Sequence, residues 1–137
     1  MLLAKDLMST EVLTVDESDR VDELMDVLVG ENIHGAPVLD SEGTLVGVVS
    51  QQDVFFGLMT CDDEDASKQT REEPLTVRSI MTSPAVSASE DTDIVALCRM
   101  MYKLRIHRVP IVRGESVTGI VSSLDICASI AQGKEKD

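Results

Sequence analysis

The sequence predicts an α/β fold made of two tandem β-α-β-β-α repeats packed with pseudo-twofold symmetry. Three observations carry this. The chain repeats itself at a nearly constant offset. Each repeat alternates strand and helix periodicity in the same order. One repeat alone is too short to bury a useful core, so two must share one.

The repeat is visible residue by residue. Met8 matches Met81, the helical set Val21, Leu24, Met25, Leu28, Val29 matches Ile94, Leu97, Cys98, Met101, Tyr102, and Pro37 matches Pro110, all 73 positions apart. Gly47, Ser50 and Asp53 then match Gly119, Ser122 and Asp125 at an offset of 72. The lost residue falls in a turn, where Asp40-Ser41-Glu42-Gly43 shortens to Arg113-Gly114-Glu115, and turns tolerate such slips.

Within each repeat a short extended segment comes first, Leu13 to Val15 or Val86 to Ala88. An acidic turn follows, Asp16 to Asp19 or Ser89 to Thr92, whose carboxylates and hydroxyls suit a helix N-terminus. Apolar residues spaced by three and four then predict an amphipathic helix from Val21 to Gly30 and from Ile94 to Lys103. Strands Ala36 to Leu39 and Leu45 to Val49, or Val109 to Val112 and Val117 to Val121, form a hairpin. A last helix starts near Ser50 or Ser122. The repeats span residues 5–58 and 78–131. The acidic stretch between them, residues 59–77, reads as a connector outside the core, and the tail from Gln132 as a fraying end.

Composition narrows the function. The 137 residues carry a formal net charge of −13, which repels nucleic acid and anionic lipid. No apolar run approaches the roughly 20 residues a membrane helix needs. Cys61, Cys98 and Cys127 form no CxxC, and the latter two fall in apolar patterns that read as core. These features predict a cytoplasmic protein without nucleic-acid or membrane partners. The two histidines and three cysteines offer no metal-ligand spacing, and no nucleophile elbow or P-loop occurs, so neither an enzyme, a metal site nor a cofactor is expected.

The informative motif is Gly47-Val48-Val49-Ser50-Gln51-Gln52-Asp53 with its partner Gly119-Ile120-Val121-Ser122-Ser123-Leu124-Asp125. Ser-x-x-Asp at a strand-to-helix junction is a capping box when read alone. It is also what a ribose diol needs, because a carboxylate accepts from both hydroxyls while nearby N–H groups face phosphate.

Two copies of Met-[Ser/Thr], Ile-His-x-x-Pro-[Val/Ile] and Gly-h-h-Ser-x-x-Asp (h is aliphatic) resemble the CBS domain family, and the pair resembles a Bateman module. The resemblance covers about Lys5 to Leu58 and Arg78 to Ile130. It implies two clefts for adenosine derivatives, with Asp53 and Asp125 on ribose and Ser50 and Ser122 beside them. Ser9 with Val12, and Thr82 with Ala85, match the adenine-lining segments. Ile33, Val48, Ile106 and Ile120 are the aliphatic members of the same motifs. In the gamma subunit of the AMP-activated kinase a His-Arg before the Pro-containing strand contacts phosphate, and His107-Arg108 matches it. The first repeat has His34-Gly35 and lacks that arginine. His107 reads equally as a satisfied structural histidine and Arg108 as a solvated charge. Lys103 and Arg105 add positive charge nearby.

The implied ligand is AMP, ADP or ATP, with S-adenosylmethionine as an alternative. The implied mode is regulation of an unidentified protein partner. The resemblance also implies a homodimer through the apolar segments Val54 to Met59 and Ile126 to Ile130. A structural dimerisation module with degenerate clefts is the competing class.

Overall fold

The computed structural model describes residues 2–61 and 75–133. Residues 62–74 of the expected connector and 134–137 of the tail lie outside the described residues. The elements run α1 (Ala4–Leu7), β1 (Val15–Asp16), α2 (Val21–Gly30), β2 (Gly35–Leu39), β3 (Leu45–Ser50) and α3 (Gln51–Cys61). The second series runs α4 (Val77–Ile80), β4 (Ala88–Ser89), α5 (Ile94–Leu104), β5 (Arg108–Arg113), β6 (Ser116–Ser122) and α6 (Ser123–Ala131). Each series forms a three-stranded sheet whose first strand is parallel and whose third is antiparallel to the central one.

The compact units cross the repeat boundary. One comprises Leu13–Ala85 and holds Asp53; the other comprises Met1–Val12 with Val86–Asp137 and holds Asp125. Each repeat's leading segment therefore packs into the unit of the other repeat. The backbone shows why. In the Asp125 unit, Ala4 N donates to Thr92 O at 2.7 Å, Lys5 N to Glu90 O at 3.0 Å, and Ile94 N to Leu2 O at 3.1 Å. In the Asp53 unit, the equivalent bonds are Val77 N to Asp19 O at 2.9 Å, Arg78 N to Glu17 O at 2.9 Å, and Val21 N to Leu75 O at 3.0 Å. The leading segment accepts one bond at a carbonyl, from the first amide of the long helix, and donates two of its own N–H groups to the turn before that helix.

Three expectations are corrected. The connector was placed outside the core, yet Val77 is fully buried among Val15, Val21, Leu24, Leu28 and Val54, with Leu75 and Ile80 against the same cluster. Burying one valine is worth about 1.5–3 kcal/mol, which ties this end of the segment down. Neither acidic turn caps its long helix. Asp93, just past the second turn, accepts from Ala96 N at 2.8 Å, whereas α2 has Arg20 at the equivalent place, and a guanidinium has no acceptor to offer. Asp16 and Asp19 instead bond within their own turn. Cys98 and Cys127 are exposed rather than core, since burial follows Ile94, Leu97 and Met101 on α5 and Ile126 and Ser129 on α6.

Candidate functional site

Both strand-to-helix junctions are closed by a reciprocal box. Ser50 N donates to Asp53 Oδ2 at 2.9 Å and Asp53 N donates to Ser50 Oγ at 3.1 Å. Ser122 N donates to Asp125 Oδ2 at 2.8 Å and Asp125 N to Ser122 Oγ at 3.1 Å. The capping function is thus real in both repeats. It also fixes each carboxylate by one oxygen at a partly buried position.

The exchanged segments complete two parallel sets. Ser9 forms an antiparallel bridge to Ile120, with bonds of 2.9 and 3.0 Å, and Thr82 forms the same bridge to Val48, at 2.8 and 3.0 Å. Ser9 and Val12 therefore belong with Ser122 and Asp125, while Thr82 and Ala85 belong with Ser50 and Asp53. Each set draws on both repeats. The glycine of each motif permits the bridge. A Cβ on Gly47 would stand 2.8 Å from Thr82 O and from Met81 Sδ, and one on Gly119 would collide with Met8. Gly47→Ala must displace the Thr82 carbonyl, and Gly119→Ala must displace Met8 back to its Cβ, 2.9 Å away. We expect each substitution to cost about 1–3 kcal/mol. Urea unfolding of both variants checks this, and wild-type stability in either would contradict it.

The two sets differ at the strand facing the box. Arg108 pairs with Ser122 across the antiparallel ladder, and residues directly opposite share a face. Gly35 holds the equivalent place opposite Ser50. Helix start and strand start are further joined by backbone bonds, Ser123 N to His107 O and Gln51 N to His34 O, both 2.8 Å. Gln51 Nε2 also donates to Ile33 O at 2.7 Å. His107 and Ile106 line an open depression of about 570 Å³ with Met101, Tyr102, Arg105 and Ser123, to which Asp125 does not contribute. Ser123 and Asp125 are about 200° apart around α6. The sequence reading had grouped His107 with Arg108, but the structure puts it on a different side of α6 from Asp125. Arg105, at φ 59, sits in the left-handed region at the end of α5, as Asn32 does at φ 57 after α2.

Asp125 lines a smaller pocket of about 170 Å³ with Asp6, Leu7, Ala128, Ser129 and Gln132. The sequence reading did not single out Asp6, Ser129 or Gln132. The signal lay in the repeat offset, which aligns Ser129 with Gly57 and Asp6 with Ser79. Among the described residues no group of three or more His, Cys, Asp or Glu is placed to hold a metal ion. None of the described helices is long and apolar enough to cross a membrane.

The family model for the CBS domain matches residues 4–59 and 77–132. The chain belongs to the CBS domain family. Among curated relatives, MJ1404 of Methanocaldococcus jannaschii is 32% identical over 94% of this chain, which spans 32% of that protein. Inosine-5'-monophosphate dehydrogenase of the same organism is 33% identical over 90% of this chain, which spans only 22% of that enzyme. YlbB of Bacillus subtilis is 30% identical over 94% of this chain and 82% of its own length. Among solved structures, the CBS domain pair of protein MJ0100, in complex with 5'-methylthioadenosine and S-adenosyl-L-methionine, superposes with a TM-score of 0.80 at 28% identity, covering 96% of this chain and 98% of that one. CBSX2 in complex with AMP gives a TM-score of 0.84 at 24% identity, covering 98% and 99%, and shows the shared fold. The two matched CBS segments take in nearly all of the described residues.

Proposed function

We propose that this CBS pair is a regulatory module that binds an adenosine derivative, with an adenine nucleotide (AMP, ADP or ATP) preferred in the Asp125 unit. Two complete sets of Ser, Asp and bridging segment support an adenosine subsite in each unit. Arg108 facing Ser122 is the observation that carries the nucleotide preference. A guanidinium beside a helix N-terminus meets phosphate with charge-assisted bonds. Gly35 gives the Asp53 unit no such cation. Ligand binding would shift the population of conformations presented to a protein partner.

A second ligand reading is favoured by the MJ0100 complex, whose ligands share only the adenosine part with a nucleotide. S-adenosylmethionine carries a sulfonium cation, which Arg108 repels. Calorimetric titration separates the two. Arg108→Ala is expected to weaken AMP by about tenfold to a hundredfold, from roughly 1.5–3 kcal/mol of charge-assisted bonding. It should leave adenosine unchanged and lose its effect as salt is added. Equal AMP affinity in the variant and the wild type makes the arginine a bystander. Tighter S-adenosylmethionine binding in the variant than in the wild type favours the second reading.

A further inference from the structure

The exposed faces of the helices differ between the two units in charge and in bulk. Within its own unit α2 packs beside α3, and α5 beside α6. Along α2 the outward stripe is Asp22, Met25, Asp26 and Val29, exposed except for the half-buried methionine. The repeat offset of 73 turns it into Val95, Cys98, Arg99 and Tyr102 on α5, all exposed. Residues 21–32 carry Asp22, Glu23, Asp26 and Glu31 with no Lys or Arg. Residues 94–105 carry Arg99, Lys103 and Arg105 with no Asp or Glu. All of these charged side chains are exposed. Arg20, just before α2, pairs with Asp22 at 2.8 Å and so neutralises one of the four acids.

The other two helices differ in size. The exposed stripe on α3 is Gln52, Phe55, Phe56 and Met59, and at an offset of 72 it becomes Leu124, Cys127, Ala128 and Ala131 on α6. Two phenylalanines and a methionine, each more than half exposed, stand where α6 has a cysteine and two alanines. Contact between like units of two copies sets acid against acid, base against base and aromatic bulk against aromatic bulk, and leaves a gap between the small stripes. Contact between unlike units sets acid against base and large against small. Charge lies on one helix of each pair and bulk on the other, so the two arguments are independent.

We propose that this helical surface docks a second copy of the chain with unlike units in contact, α2 and α3 of the Asp53 unit against α5 and α6 of the second copy's Asp125 unit. Family resemblance implies only that copies associate; the choice of unlike over like units comes from the charge and bulk of these helices. A twofold axis between the copies makes the contact twice. Sedimentation of the full chain over a dilution series at low salt gives the dimer Kd for the wild type, Asp26→Arg, Arg99→Glu, the double variant and Ala128→Phe. Unlike contact predicts that each single charge reversal weakens the dimer by about tenfold, that the double variant returns to within about threefold of the wild type, and that added salt erases the differences. Like contact predicts the opposite sign, because an arginine at position 26 then meets the acidic α2 of the second copy and the dimer tightens. Ala128→Phe makes the same distinction without a charge. It crowds Phe55 and Phe56 and weakens an unlike contact, but it fills the gap between small stripes and tightens a like one. Tightening by either single reversal or by Ala128→Phe overturns the proposal. So do a Kd unchanged in every variant, a double variant as weak as the singles, and a wild type that stays monomeric.

Discussion

Asp125→Ala is expected to remove the tighter of two adenosine-binding events, by about a hundredfold or more. Two ribose hydroxyls lose a charged acceptor, and bonds to charged groups are worth roughly 1.5–3 kcal/mol each. The same carboxylate accepts from Ser122 N, so alanine also strips a cap and costs about 0.5–2 kcal/mol of stability. Asp125→Asn separates the two roles. Its amide oxygen can still accept from Ser122 N, while its other end presents N–H groups to the ribose. We expect Asp125→Asn to melt close to the wild type and to bind adenosine at least about tenfold more weakly. A variant that melts normally and binds normally would reduce Asp125 to a helix cap. The matching Asp53 variants should remove only the weaker event.

The parts of this molecule that were legible in the sequence are those set by local periodicity. The helix over Val21–Gly30 ends where the spacing of Val21, Leu24 and Leu28 says it should, and both hairpins follow from short apolar runs joined by the turns at Asp40 to Gly43 and Arg113 to Glu115. The Ser-x-x-Asp boxes were legible because a cap bonds within three residues. Exchange of the leading segments was not legible. Ser9 bridges Ile120, and that pairing depends on a glycine whose missing Cβ clears Met8, a contact more than a hundred residues away in sequence. Val77 was misplaced for the same reason. Its flanks are polar, and burial comes from the other repeat's core. Ser129 was invisible because a serine in an apolar helix reads as surface until its neighbours are known. His107 was grouped with Arg108 through the family's His-Arg pattern; His107 lines the depression beside Ser123, while Arg108 opens β5 opposite Ser122.

Phe56→Glu is expected to convert a solution dimer into a monomer with its fold intact. Ten of the eleven exposed large hydrophobics among the described residues lie on helices α2, α3, α5 and α6, so the exposed apolar surface is helical. Phe55 and Phe56 are 52% and 63% exposed and meet edge to face with centroids 5.8 Å apart. Leu124 and Ile130 are 75% and 56% exposed on α6. The segments named from sequence as contacts are thereby narrowed, because Val54 and Ile126 are buried within their own units. A second copy is the occupant that charge favours. Residues 20–32, around α2, carry Asp22, Glu23, Asp26 and Glu31 against Arg20 alone, while residues 93–105, around α5, carry Arg99, Lys103 and Arg105 against Asp93 alone. Acidic and basic helices of equivalent position attract between copies when α2 of one meets α5 of the other. A glutamate in place of an aromatic anchor costs about 2 kcal/mol or more, roughly thirtyfold in Kd. Light scattering at micromolar concentration should give twice the 14.9 kDa chain mass for the wild type and the single mass for the variant. A wild type that scatters as a monomer removes the dimer. A Phe56→Glu dimer moves the contact off α3, and charge reversal at Asp26 and Arg99 then decides whether the acidic and basic helices hold the copies together.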